Sequence, residues 1–67
     1  MKVNRTSEIL PEEDQDVLYW FEPFEKWFIG KFDGEWTFYS KFGFGDGHDA
    51  PYWIDAKELP DPREFQE

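Results

Sequence analysis

Three runs of aromatic and β-branched residues, each bounded by turn-forming residues, limit this chain to a narrow set of folds. They are Asp16-Val17-Leu18-Tyr19-Trp20-Phe21-Glu22, Lys26-Trp27-Phe28-Ile29-Gly30-Lys31-Phe32 and Glu35-Trp36-Thr37-Phe38-Tyr39-Ser40. Runs of this length and composition, flanked by Asp, Gly and Pro, read as strands. The spacers between them leave room only for chain reversal. Asp33-Gly34 suits a type I′ turn, which needs positive φ at both central residues. Pro23 suits the second position of a type I turn. The expectation is an antiparallel meander.

Register follows from those turns. A two-residue turn at Pro23-Phe24 sets Trp20 opposite Trp27 and Leu18 opposite Ile29. One at Asp33-Gly34 sets Glu35 opposite Phe32, Trp36 opposite Lys31 and Phe38 opposite Ile29. Because alternate side chains share a face, both turns select Leu18, Trp20, Trp27, Ile29, Trp36 and Phe38 as the core face, with Lys31 beside Trp36 in cation–π reach. The other face, Tyr19, Phe21, Phe28, Phe32 and Tyr39, is nearly as apolar, whereas a sheet with one wet face alternates more cleanly. Two accounts of it stay open. Either the remainder of the chain covers it (Phe42, Phe44, Tyr52, Trp53, Ile54, Leu59 and Phe65), or it is a surface for a homodimer or another partner.

The flanking segments read as follows. Residues 1–9 have no sustained period and form a flexible lead-in; residues 10–67 form one small β domain. Pro51-Tyr52-Trp53-Ile54-Asp55 is a fourth strand, preceded by a flexible glycine loop at residues 42–49. Leu59-Pro60-Asp61-Pro62 begins an extended tail. The fold class is therefore mainly β: a small three- to four-stranded antiparallel twisted sheet or partly closed barrel, with an extended C-terminal tail across it. Composition supports a folded chain: 15 of its 67 residues are Phe, Trp or Tyr, whereas acidic disordered chains are poor in aromatics. The chain has no cysteine, no apolar run approaching a membrane span, and no apolar stretch at its N-terminus of the secretion-signal kind. The expected location is the cytoplasm.

Catalytic parts are scarce. One His, two Ser and no Cys leave little for a nucleophilic triad, and no glycine-rich phosphate loop is present. Asp46, His48 and Asp49 are the one gathering of His with carboxylates. A zinc centre takes three or four protein ligands in fixed geometry, so this stretch reads as a solvated turn. Neither an enzyme, a metal site nor a cofactor is expected. Charge is the remaining signal: 16 acids against 7 cations give −9, which repels nucleic acid and membrane phosphates. Glu12, Glu13, Asp14 and Asp16, with Asp46 and Asp49 and the flanking Phe42 and Phe44, are the candidate contact residues. They form a carboxylate array for a basic surface of another protein, of the kind that holds nucleic acid.

Leu10-Pro11-Glu12-Glu13-Asp14-Gln15-Asp16-Val17-Leu18-Tyr19 resembles the start of a short phage and prophage family of unknown function. Trp27-Phe28-Ile29-Gly30-Lys31-Phe32-Asp33-Gly34 resembles its middle, and Tyr52-Trp53-Ile54 with Leu59-Pro60-Asp61-Pro62 its end. The chain departs from that pattern in having no Trp before Glu8 and in the four residues between Trp53-Ile54 and Leu59. The resemblance implies a mobile-element origin and a small β-rich domain, and carries over no catalytic residue. By analogy with other small acidic phage proteins, the expected function is inhibition of a host nucleic-acid-binding or defence protein by nucleic-acid mimicry in the host cytoplasm. The rival expectations are a self-associating phage structural or accessory protein, using Tyr19, Phe21, Phe28, Phe32 and Tyr39, and a module that stacks a small ligand or carbohydrate on exposed aromatic rings.

Overall fold

The computed structural model describes residues 2–59. They form one six-stranded antiparallel sheet with no α-helix. In chain order the strands are β1 (Asn4–Arg5), β2 (Asp16–Phe21), β3 (Lys26–Phe32), β4 (Thr37–Ser40), β5 (Gly43–Asp46) and β6 (Tyr52–Asp55). Across the sheet they run β1-β6-β2-β3-β4-β5. Two single 3₁₀ turns, Glu22–Phe24 and Ala56–Glu58, follow β2 and β6. The expected three or four strands are thus six. The lead-in supplies β1, which pairs with β6, and the glycine loop supplies β5, which pairs with β4. The tail from Pro60 onward, including Phe65, lies outside the described residues.

The sheet stays open in its pairing but is tightly curled. The connection from β5 to β6 is residues 47–51, and it must pass from one edge strand to a strand four places away. Four flat inter-strand gaps span about 19 Å, close to the limit of a fully extended connection of this length. This one is not extended: Asp49 and Ala50 donate their N–H groups back to the Asp46 carbonyl. Only a curled sheet brings β5 near enough. The curl shows directly where Phe21 of β2 packs into the space left by the absent side chain of Gly45 on β5, and where Glu22 N–H donates to the Asp49 carbonyl at 2.7 Å.

The β2–β3 register is the one expected: Leu18 faces Ile29 and Trp20 faces Trp27. The β3–β4 register is not. Phe32 pairs with Phe38 instead of Glu35, and Lys31 with Tyr39 instead of Trp36, a slip of three residues. An odd slip turns every side chain of β4 to the other face. Its cause is Asp33, whose Oδ1 accepts N–H bonds from Glu35, Trp36 and Thr37 at 2.8, 3.0 and 3.1 Å, while Asp33 N–H donates to the Thr37 carbonyl. The tight turn is thereby replaced by a three-residue loop, 34–36.

The core face is consequently the reverse of the expected one. Val17, Tyr19, Phe32, Phe38, Ala50 and Trp53 form the buried cluster, with Phe21 and Phe28 against it. The Tyr19 ring stacks on Phe38 at 5.2 Å, and Phe38 meets Phe32 at 4.9 Å. Tyr19 Oη donates to Ser40 Oγ, which satisfies the one polar atom that this ring carries inward. Trp53 Nε1 donates to the Ile9 carbonyl and Thr6 Oγ1 to the Ala50 carbonyl, so the lead-in closes one flank of the core. Of the six residues expected inside, only Phe38 is fully buried on this concave side. Trp27 and Ile29 are exposed on the convex side, where Leu18 and Trp20 are half-buried, and Trp36 lies in the loop with its ring against Gly47 and His48. Lys31 meets Asp16 and Tyr39 in place of Trp36.

Candidate binding surfaces

The first surface is a carboxylate end. Glu12, Glu13, Asp14 and Asp16 occupy the β1–β2 loop and the start of β2, all exposed. Asp14 has φ of 60°, and its N–H donates to the Phe32 carbonyl at 2.7 Å, which ties this loop to the end of β3. The Glu13 side chain lies against Gly34. Asp33 and Glu35 therefore join the four expected acids at the same end of the sheet. In sequence, Asp33-Gly34 signals a backbone conformation and gives no sign that these two acids join the others. The Asp33 carboxylate is a hub for three amides, and that was the missing signal.

The electrostatics of this end are specific. Lys31 Nζ bonds Asp16 Oδ1 at 2.7 Å and the Asp14 carbonyl at 3.4 Å. The hydrogen bond to Asp16 holds the Lys31 ammonium above its ordinary pKa. Tyr39 Oη donates to Asp14 Oδ1 at 3.0 Å, and that bond raises the phenol. The N–H of Glu35, followed by that of Thr37, holds Asp33 below the ordinary carboxylate value. Among the described residues Lys31–Asp16 is the sole salt bridge, and Glu12 and Glu13 make none with them.

The remaining candidates disperse. Asp46 stands opposite Thr37 at the far edge of the sheet, with its Oδ1 accepting from His48 and Asp49 N–H. Asp49 is at the β5–β6 turn, against Glu22 and thus the other end of β2. Asp46, opposite Thr37, therefore lies at the same end of the sheet as Asp33, whose carboxylate takes the Thr37 N–H, while Asp49 does not join the array. Among the described residues no group of three or more His, Asp or Glu side chains is arranged to hold a metal ion. Phe44 is 77% exposed, stands opposite Tyr39, and lines a hollow with Phe21, Phe24, Phe28 and Phe42. Phe42 is exposed at the tip of the β4–β5 hairpin, but its ring stacks on Phe28 at 5.7 Å.

The second surface is the convex face. Tyr52, Trp20 and Trp27 align across β6, β2 and β3, and Leu18 and Ile29 form the next row beside the buried Ile54. Trp20 and Trp27 meet edge to face at 5.4 Å, and Ile29 is 64% exposed. The self-association surface expected from Tyr19, Phe21, Phe28, Phe32 and Tyr39 is not a free surface. Tyr19 and Phe32 are buried in the core, and Tyr39 belongs to the opposite side.

The third surface is a groove of about 710 Å³ beside β3, lined by residues 27–31 and 39–42. β4 pairs with β3 only at Lys31 and Phe32. Beyond that point β4 swings over Gly30, where the Tyr39 carbonyl and the Ser40 side chain fill the space that a side chain would take. Comparison with protein-family models, curated proteins and solved structures finds no match for this chain.

Proposed function

We propose that this chain is a non-enzymatic protein-binding module that occupies a cationic surface of a partner with its carboxylate end. The observation that carries this reading is the convergence of Glu12, Glu13, Asp14 and Asp16 with Asp33 and Glu35, through the Asp14–Phe32 backbone bond and the packing of Glu13 on Gly34. These groups come from two loops, so the array is a product of the fold rather than of one acidic run. Exposed Phe44 and the Trp20–Trp27–Tyr52 row on the convex face offer apolar anchors of the kind that dominate interface energetics, while the carboxylates steer encounter.

A basic groove shaped for a nucleic-acid backbone fits such an array. With the resemblance to a phage family, this supports the narrower reading of an inhibitor acting on a host nucleic-acid-binding or defence protein in the host cytoplasm. The test is capture from bacterial lysate with the full chain as bait, followed by competition. The expected result is a nucleic-acid-binding protein that is released both by raised salt and by duplex DNA. Neutralising Glu13→Gln with Asp14→Asn is expected to slow association roughly twofold to tenfold while dissociation changes less. Retention that is indifferent to salt and to DNA would overturn the proposal.

A further inference from the structure

We propose that the free edge of β3, residues 26–30, is a strand-addition site for an extended acidic segment of a partner protein. Among the described residues this edge has no strand beside it: β3 runs Lys26–Phe32, yet its pairing with β4 covers Lys31 and Phe32 alone. The missing side chain of Gly30 lets β4 leave the sheet plane, and the β4–β5 hairpin then folds inward until Phe42 stacks on Phe28. What remains is a trough with backbone on one wall and the hairpin on the other. An unpaired strand edge presents N–H and C=O groups that another chain can pair with, and peptides are bound in this way when side-chain pockets accompany the edge. Here Trp27, Ile29 and Phe42 supply the apolar contacts. A five-residue edge takes about 16 Å of extended chain.

The sign of the charge selects the occupant. In a chain with 16 acids, no carboxylate among the described residues lines this groove, whereas Lys31 and Lys41 do, and Lys26 begins the strand. Lys26 and Lys41 make no salt bridge with the described residues. Lys41 Nζ sits 5.6 Å from the Phe42 ring centroid. Exposed charges act over about 8–10 Å at ordinary ionic strength; Lys31 is already paired with Asp16, so the positive charge that the trough offers is that of Lys26 and Lys41. A second copy is the poorer occupant. Edge-to-edge pairing would bring two lysine-bearing grooves together on chains of charge −9 each, and lysines at a strand edge oppose self-pairing. This site is opposite in sign to the carboxylate end and does not depend on the function proposed for that end.

The experiment uses the full isotope-labelled chain and short acetylated, amidated peptides. One alternates glutamate with valine, one alternates lysine with valine, and one is the glutamate peptide N-methylated on alternate residues. The glutamate peptide is expected to give saturable amide shifts at residues 27–30 and at Lys41. The lysine peptide should give none, and N-methylation should weaken binding at least about tenfold by removing backbone donors. Lys41→Glu, and separately Lys26→Glu, should each weaken the glutamate peptide roughly fivefold, with a dispersed spectrum confirming that each variant is folded. Should either variant unfold, the three peptides decide the matter on the native chain. Equal binding of the lysine peptide, insensitivity to N-methylation, shifts confined to other strands or no shifts at all would overturn the proposal. So would a concentration-dependent dimer by sedimentation with residues 26–30 protected from exchange in the free chain, which assigns the edge to a second copy.

Discussion

The β2–β3 and β3–β4 hairpins share a strand, are built from the same kinds of residue and close through loops with an equally clear turn signal. One keeps the register read from its turn and the other does not. In β2–β3 the loop occupies residues 22–25, with Phe21 opposite Lys26. It is longer than a two-residue turn but centred on the same point, and a symmetric lengthening changes no pairing. In β3–β4 the loop grows on one side only, because the Asp33 carboxylate draws in three following amides. The slip it causes places Phe38 against Tyr19 and Phe32 inside the curl. A turn's centre, and not its residue preferences, decides which face of the next strand is buried.

The largest effect that tests this contrast comes from truncating the residue that changed faces. Phe38→Ala should cost about 3–5 kcal/mol, enough to leave a domain of this size largely unfolded. Ile29→Ser, on the face that sequence reading placed inside, should stay within roughly 0.5 kcal/mol. Urea denaturation of the pair measures both, and a loss at Ile29 comparable to that at Phe38 would restore the original register, which buries both. The next effect concerns the divergence of β4 from β3. Gly30→Ala puts a methyl group into the Tyr39 carbonyl, for an expected loss of about 1–3 kcal/mol, with amide shifts concentrated at residues 39–42.

The smallest effect sharpens the role of the Asp33 loop. Asp33→Ala should lower the melting temperature at neutral pH, because it removes the acceptor of the three loop amides. The carboxyl is held below its ordinary value of 3.8 by the N–H groups of Glu35 and Thr37. Its contribution is therefore complete above that value and lost as pH falls through the lower folded one. The melting-temperature gap between wild type and variant should be constant from neutral pH down to about 5, then narrow below 3.8. A gap that is flat across the acid range would remove the carboxylate from the explanation.

The candidate site divides in the same way as the hairpins. Glu12, Glu13, Asp14 and Asp16 are neighbours in sequence and stay neighbours in space. Of Asp46 and Asp49, chosen with them on charge alone, Asp49 sits against Glu22 at the other end of β2, while Asp46 stands opposite Thr37. Asp33 and Glu35 were invisible as partners because their proximity arises from one long-range backbone bond, Asp14 to Phe32. The β3 groove was equally hidden, since it exists only because two strands part company at Gly30.

By itself the amino-acid sequence determined that the chain is β-rich and antiparallel, where four of its strands lie, how β2 and β3 pair, and that its surface is acidic. These follow from local causes: alternation, β-branched and aromatic content, turn residues and net charge. Tertiary structure decided which of two almost equally apolar faces is buried, that the two-residue β1 and the glycine-rich β5 are strands at all, and which carboxylates meet. Those outcomes rest on pairing energies that reach across the chain. A two-residue strand or a run of alternating glycines has too few side-chain preferences to declare itself until a partner strand lies beside it.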